Sequence, residues 1–249
     1  MPAALPKTSA AMTALLRADF TTQWRNRRSV VLVLLVPVII LMSWKGLVSK
    51  LGPAFVLSTG ITIGLTAIGL MGYSNALARD RDKGIFQRLR VAPIPTSYIM
   101  MSRLAVQMAM IILLTTLVFI VGYQRLHIEL PAQSYVLGFL TAFAGGALYL
   151  GLGQMIAGLV KNSETVNSTT RLVYFVFIMV GMFGDLGMLG DQIKKIVHYS
   201  PWGTVKTIVS AGLQPNGWSN EATLALLLTA AYAFVFSYLG IKWFRWNVK

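Results

Sequence analysis

Groups able to do acid–base, nucleophilic or metal chemistry are few in this chain of 249 residues: eight Asp and Glu, two His and no Cys. Without cysteine there is no disulfide, no thiolate metal site and no Cys nucleophile. His127 and His198 stand far apart, and neither belongs to an H-E-x-x-H pattern. No pair of histidines falls inside an apolar run where it could ligate haem. There is no G-x-x-x-x-G-K-[ST] phosphate loop, since the dipeptide Gly-Lys does not occur, and no G-x-S-x-G nucleophile elbow. The chain is therefore not expected to be an enzyme, to hydrolyse ATP itself, or to bind a metal or cofactor.

The charge that exists is clustered. The run Arg79-Asp80-Arg81-Asp82-Lys83-Gly84-Ile85-Phe86-Gln87-Arg88-Leu89-Arg90 mixes both signs with three large apolar residues. Ile85, Phe86 and Leu89 fall on one face of a short helix, too short to hold itself by propensity alone. Two readings are open, a docking element for a partner or a solvated basic turn. Exposed Phe and Leu favour docking. Pro93 and Pro95 then turn the chain. Asp185 is the one carboxylate near the end of a long apolar run. It reads as a carboxylate at an outer mouth or, less simply, as a proton relay.

These residues must be positioned by membrane helices. Composition is 55% hydrophobic and 12% charged, with a mean hydropathy of +0.65; soluble domains carry roughly twice that share of charge. Six apolar segments are long enough to span about 30 Å of hydrocarbon: 29–48, 53–78, 97–122, 134–160, 168–190 and 222–244. Pro37 lies inside the first, where neighbouring helices can satisfy the carbonyl it frees. The expectation is an all-α membrane protein, a single transmembrane domain over 1–249. Residues 1–11 lack the apolar core of a signal peptide.

Orientation follows from the basic residues between spans. With both termini in the cytoplasm, 16 of the 22 Lys and Arg residues lie inside. The net charge of +14 is then a topology signal and an attraction to anionic headgroups, and no nucleic-acid partner is expected. Before the first span, residues 9–27 place Met12, Leu16, Phe20 and Trp24 four apart. That spacing predicts an amphipathic helix in the cytoplasmic interface. Segment 191–221 has apolar stretches too short to span, with Pro201, Trp202, Pro215 and Trp218, and predicts re-entrant or surface helices on the outer side.

Small residues recur within spans: Gly60 and Gly64; Gly138, Ala142 and Gly146; Gly181, Gly184, Gly187 and Gly190. They favour close helix packing, within one subunit or across a dimer. Thr59, Thr62 and Thr66 form a polar stripe on span 2, and Phe175, Met179 and Phe183 a softer stripe on span 5. Facing each other, they would suit an amphipathic or apolar ligand; ordinary helix packing is the other reading.

The sequence resembles the membrane permease subunit of the type-2 ATP-binding-cassette exporters, which include drug and antibiotic exporters. The similar features cover nearly the whole chain: an amphipathic helix before span 1, the charged Gly-containing segment 79–89 after span 2, and Leu89 to Pro93 matching an L-x-x-x-P ending. The segment His198-Tyr199-Ser200-Pro201-Trp202 before the last span is also similar. The Asp and Arg residues of 79–89 depart from the family's Glu-rich version.

The resemblance implies a coupling helix over 80–92. In it Asp82, Lys83, Gly84, Ile85, Phe86, Arg88, Leu89 and Arg90 would contact a separate ATP-binding-cassette ATPase subunit. Two such subunits, carrying the ATP and Mg, would serve a homodimer of this chain in a plasma membrane, of bacterial inner-membrane type. Leu16, Phe20 and Trp24 of the interface helix would pass motion to the spans. The expected function is ATP-driven export of a hydrophobic or amphipathic drug, lipid or peptide. A secondary transporter or channel, and a non-transporting membrane scaffold, are the alternatives.

Overall fold

A computed structural model describes residues 8–90 and 96–244, and among these no strand occurs. The turn at Pro93 and Pro95, the end of the expected coupling helix at 91–92, Arg245, Lys249 and the side chain of Arg90 lie outside the described residues.

Helix α1 (Thr8–Arg25) precedes α2 (Arg27–Ser43), which contains Pro37. The two meet at a 61° bend, with Asn26 leaving helical geometry between them. Expected span 1 reached 48, but α2 ends at Ser43. Two short turns, Lys45–Leu47 and Val48–Leu51, follow and close at Gly52, whose φ of +83° suits only glycine. Helix α3 runs from Pro53 to Asp82 as one apolar rod interrupted by a π-helical stretch at Ala67–Tyr73. It is the centre of the fold: from Val56 to Leu70 every residue is buried.

Six-residue α4 (Ile85–Arg90) follows a turn at Gly84, φ +67°. Then come α5 (Thr96–Leu126), α6 (Ala132–Leu159) and α7 (Ser163–Asp185), the last with a π-helical stretch at Phe177–Met182. Two shorter helices, α8 (Asp191–Tyr199) and α9 (Pro201–Leu213), precede α10 (Asn220–Trp243). Helices α3, α5, α6, α7 and α10 are each long and apolar enough to cross a bilayer, and the bent α1–α2 pair supplies a sixth candidate. The protein is an all-α membrane protein.

Two expectations shift at the ends of spans. Span 2 was expected to stop at 78. The rod continues to Asp82, so the first residues of the expected 80–92 coupling helix are the last turn of α3, and the separate helix starts at Ile85 and is described to Arg90. Span 5 was expected to reach 190. It stops at Asp185, because Gly187 (φ +74°) and Gly190 (φ +96°) are turn residues rather than packing residues.

The packing glycines act within the chain. A Cβ on Gly64 would fall 2.3 Å from Leu114, and one on Gly146 equally close to Ile111. At the crossing of α3 and α6 the backbones themselves touch: a Cβ on Gly69 would lie 2.4 Å from the Tyr149 carbonyl oxygen, and one on Gly153 2.3 Å from the Gly69 carbonyl oxygen. Small residues replace the hydrophobic effect as the means of close approach in lipid.

The segment expected to form re-entrant or surface helices folds as a hairpin. Helix α9 is wedged among α3, α6 and α10. Val205 lies against Gly145 and Leu213 against Gly138, so α9 rises along α6 towards its start. The apex is His198-Tyr199-Ser200-Pro201-Trp202. There the Ser200 hydroxyl accepts from the Gly203 N–H at 3.3 Å to cap α9, Pro201 occupies the first turn, and Trp202 is fully buried against Gly181.

Candidate functional site

The charged run at the end of α3 is where the fold spends its polar side chains. Arg81 is buried, 3% exposed. Its guanidinium donates to the Ala157 carbonyl and, at 2.8 Å, to the Lys161 carbonyl. Those oxygens stand at the C-terminal end of α6, where carbonyls have no intrahelical partner and the helix dipole is negative. Asp82, next along, accepts from the Ser163 N–H at 2.7 Å, at the first turn of α7, where a carboxylate complements the positive end of the dipole. Asn162 caps the same helix by accepting from the Thr165 N–H at 2.7 Å. Two adjacent side chains thus hold the end of one span and the start of the next.

Further contacts radiate from the same place. Asp80 pairs with Arg103 of α5. The Arg103 guanidinium also lies over the Phe86 ring, 4.7 Å from its centroid. Phe86 meets Phe244, just past α10, edge to face at 5.4 Å. The neighbour of Arg103, Ser102, donates to Asp19 of α1 at 2.6 Å. Residues 80–86 therefore touch α5, α6, α7 and the end of α10, with α1 attached through α5. A displacement of this segment must move these elements together or break buried polar contacts, which cost about 1–3 kcal/mol each. The arrangement is suited to carrying force, not to bond chemistry.

The expected docking residues divide. Phe86 was expected to be exposed; it is fully buried in the chain's own base. Leu89 packs partly against the core, and Ile85 is half-buried. Lys83, Gln87 and Arg88 face outward, as does Asp82 in part. On the interface helix, Leu16 and Phe20 are half-buried and Trp24 is 54% exposed. The helix packs along α5 mainly through its neighbours Ala11, Leu15 and Asp19.

The expected ligand path is not brought together. Thr59, Thr62 and Thr66 are buried, and their hydroxyls donate back to the carbonyls of Phe55, Ser58 and Thr62 at 2.7–2.8 Å. Such bonds satisfy a hydroxyl within its own helix. Phe175 is 59% exposed on the outside of α7, while Met179 and Phe183 are half-buried. Asp185 is not free; it pairs with Lys206 of α9, whose ammonium also sits 3.5 Å from the Phe55 ring centroid.

In the sequence Arg81 and Arg103 count as topology charge, and Asp80 and Arg81 belong to the charged run 79–89, with no partner within the chain expected for any of them. The alternation of Arg and Asp over 79–82 was the available signal, but its partners lie about 80 residues away, at Ala157, Lys161 and Ser163. A family model described as "ABC-2 type transporter" matches residues 10–202. A comparison with curated proteins finds no match.

Proposed function

The chain belongs to the ABC-2 type transporter family, and from that premise we propose that it is an exporter permease driven through the 80–90 segment by a separate ATPase subunit. Two ATPase subunits would serve a dimer of this chain, with ATP and Mg bound on them. The observation that carries this reading is the clamped base. Arg81, Asp82, Asp80 and Phe86 join residues 80–86 to four spans, while Lys83, Gln87 and Arg88 remain exposed on the same short stretch. One face is tied to the spans and the other is open to a partner. Rigid-body movement of such a segment can shift several helices at once.

Of the expected contacts, Asp82, Lys83, Gly84, Ile85, Arg88, Leu89 and Arg90 stay with the partner surface, and Phe86 becomes the anchor behind it. The cargo we assign is hydrophobic or amphipathic, because the membrane-facing helices offer little unpaired charge. The membrane is a plasma membrane with both termini in the cytoplasm. A secondary transporter is disfavoured because Asp185 is already paired with Lys206.

Proteoliposomes containing this chain and the ATPase subunit that co-purifies with it test the reading. A lipophilic dye should be transported only with ATP and Mg, and Arg88→Glu should lower that transport about tenfold while leaving thermal unfolding unchanged. Transport of equal rate without the ATPase subunit sinks it.

A further inference from the structure

A cavity of about 210 Å³ lies between α3, α5, α6 and α10, towards the end of the bundle that carries the charged base. Its walls are apolar, with Leu104 and Met108 from α5, Leu150 from α6 and Ile241 from α10, and three polar side chains meet it: Tyr73, Gln154 and Ser237. No Lys, Arg, Asp or Glu lines it. Helices α5 and α10 are not packed against one another along their length. On this open side Leu104 is 37% and Ile241 69% exposed, so the cavity faces the hydrocarbon of the bilayer.

The polar groups form a built end. Tyr73 closes the π-helical stretch of α3, an irregularity that often marks a functional position in a helix. Its hydroxyl donates to Gln154 Oε1 at 2.7 Å. Gln154 is only 7% exposed and lines the cavity. With its oxygen taken by Tyr73, the amide N–H is the group it can offer there as a donor. Gly151 lets Ser237 come close, since a Cβ there would lie 2.7 Å from the Ser237 hydroxyl. The nearby cation, Arg103, is already held by Asp80.

We propose that this cavity binds an uncharged amphiphile that enters sideways between α5 and α10 from the cytoplasmic leaflet, its apolar part in the cavity and a carbonyl or hydroxyl oxygen accepting from the Gln154 amide. The leaflet assignment rests on the orientation proposed above. An apolar cavity of about 150 Å³ holds a benzene ring, so this one takes a ring system or a short stretch of chain rather than a whole lipid. An ionised headgroup would find no counter-charge here and would bear the full cost of leaving water.

The test uses the full chain in phosphatidylcholine nanodiscs, without ATP or ATPase, so that its failure leaves the exporter reading standing. The probes are a diazirine-bearing monoacylglycerol and a diazirine-bearing fatty acid of the same chain length at neutral pH. The monoacylglycerol should label peptides carrying Met108 and Ile241, and unlabelled monoacylglycerol should compete. The fatty acid should label them at least fivefold less. Leu104→Trp, at the open rim, should remove the labelling. Gln154→Leu should weaken it about fivefold to tenfold, as expected for one hydrogen bond. Thermal unfolding of both variants checks that the fold is kept. Equal labelling by the two probes, or labelling spread over the lipid-facing helices and unchanged in Leu104→Trp, overturns the proposal.

Discussion

Arg81 and Phe86 show how two residues of the same charged run do different work from what their types announce. A buried arginine is tolerated because its donors meet the α6 terminal carbonyls and Asp82 lies 3.7 Å away. Removing the guanidinium leaves those carbonyls without partners. Arg81→Met is therefore expected to cost roughly 2–4 kcal/mol, by loss of buried charge-assisted hydrogen bonds, read as reduced resistance to unfolding in mixed micelles. Phe86→Ala is expected to cost about 3–5 kcal/mol as a large-to-small change in a packed site, whereas Arg88→Glu should leave stability unchanged. A docking role for the Phe86 ring would reverse that order, with Phe86→Ala as stable as the parent chain. Periodicity had put Phe86 on a face with Ile85 and Leu89, correctly. What that face meets, Arg103 and Phe244, is 17 and 158 residues away, beyond the reach of any local pattern.

At the scale of elements, the α3–α6 crossing governs the bundle. Gly69 and Gly153 allow backbone to meet backbone, and the π-helical stretch Ala67–Tyr73 lies at the same place. A side chain at either position has no flexible neighbour to displace. Gly153→Val is expected to destabilise the protein by more than the roughly 1–3 kcal/mol typical of overpacking, because the opposing atom is a carbonyl oxygen. The measurement is the yield and melting temperature of the purified variant, and parent-like values would refute the close crossing. Gly46, whose Cβ would meet nothing within 4 Å, serves as the control, and Gly46→Ala should change little. Spacing in the sequence marked Gly60, Gly64, Gly138 and Gly146 as packing glycines, and they are. It grouped Gly187 and Gly190 with them, yet these two adopt positive φ and end the helix. A repeat of three cannot separate a helix face from a turn that follows it.

For the whole molecule, the question is which side each element faces. Helix α1, Phe244 and the 80–90 segment lie at one end of the bundle, and the α8–α9 hairpin comes from the other. The excess of Lys and Arg on the first side is the ground for the cytoplasmic orientation proposed above. The chain has no cysteine, so single replacements report cleanly. Lys83→Cys should react with an impermeant maleimide only from the cytoplasmic face, and Asn216→Cys, in the exposed turn after α9, only from the outside. Reaction of both from one face would exclude the six-crossing arrangement.

The sequence by itself determined the class of protein, an all-α membrane protein whose apolar segments correspond to five spans and a bent sixth candidate. Hydrocarbon demands long apolar helices with internally bonded backbones, and this demand is written residue by residue along the chain. Only the tertiary structure decided which polar residues are spent on holding helices together. The Thr59, Thr62 and Thr66 hydroxyls turn back onto α3 instead of lining a path, Arg81 grips α6, and Gln154 meets Tyr73 across 81 residues. Whether a polar side chain in a membrane is a spacer, a clamp or part of a site depends on the atom opposite it, and that atom comes from another helix.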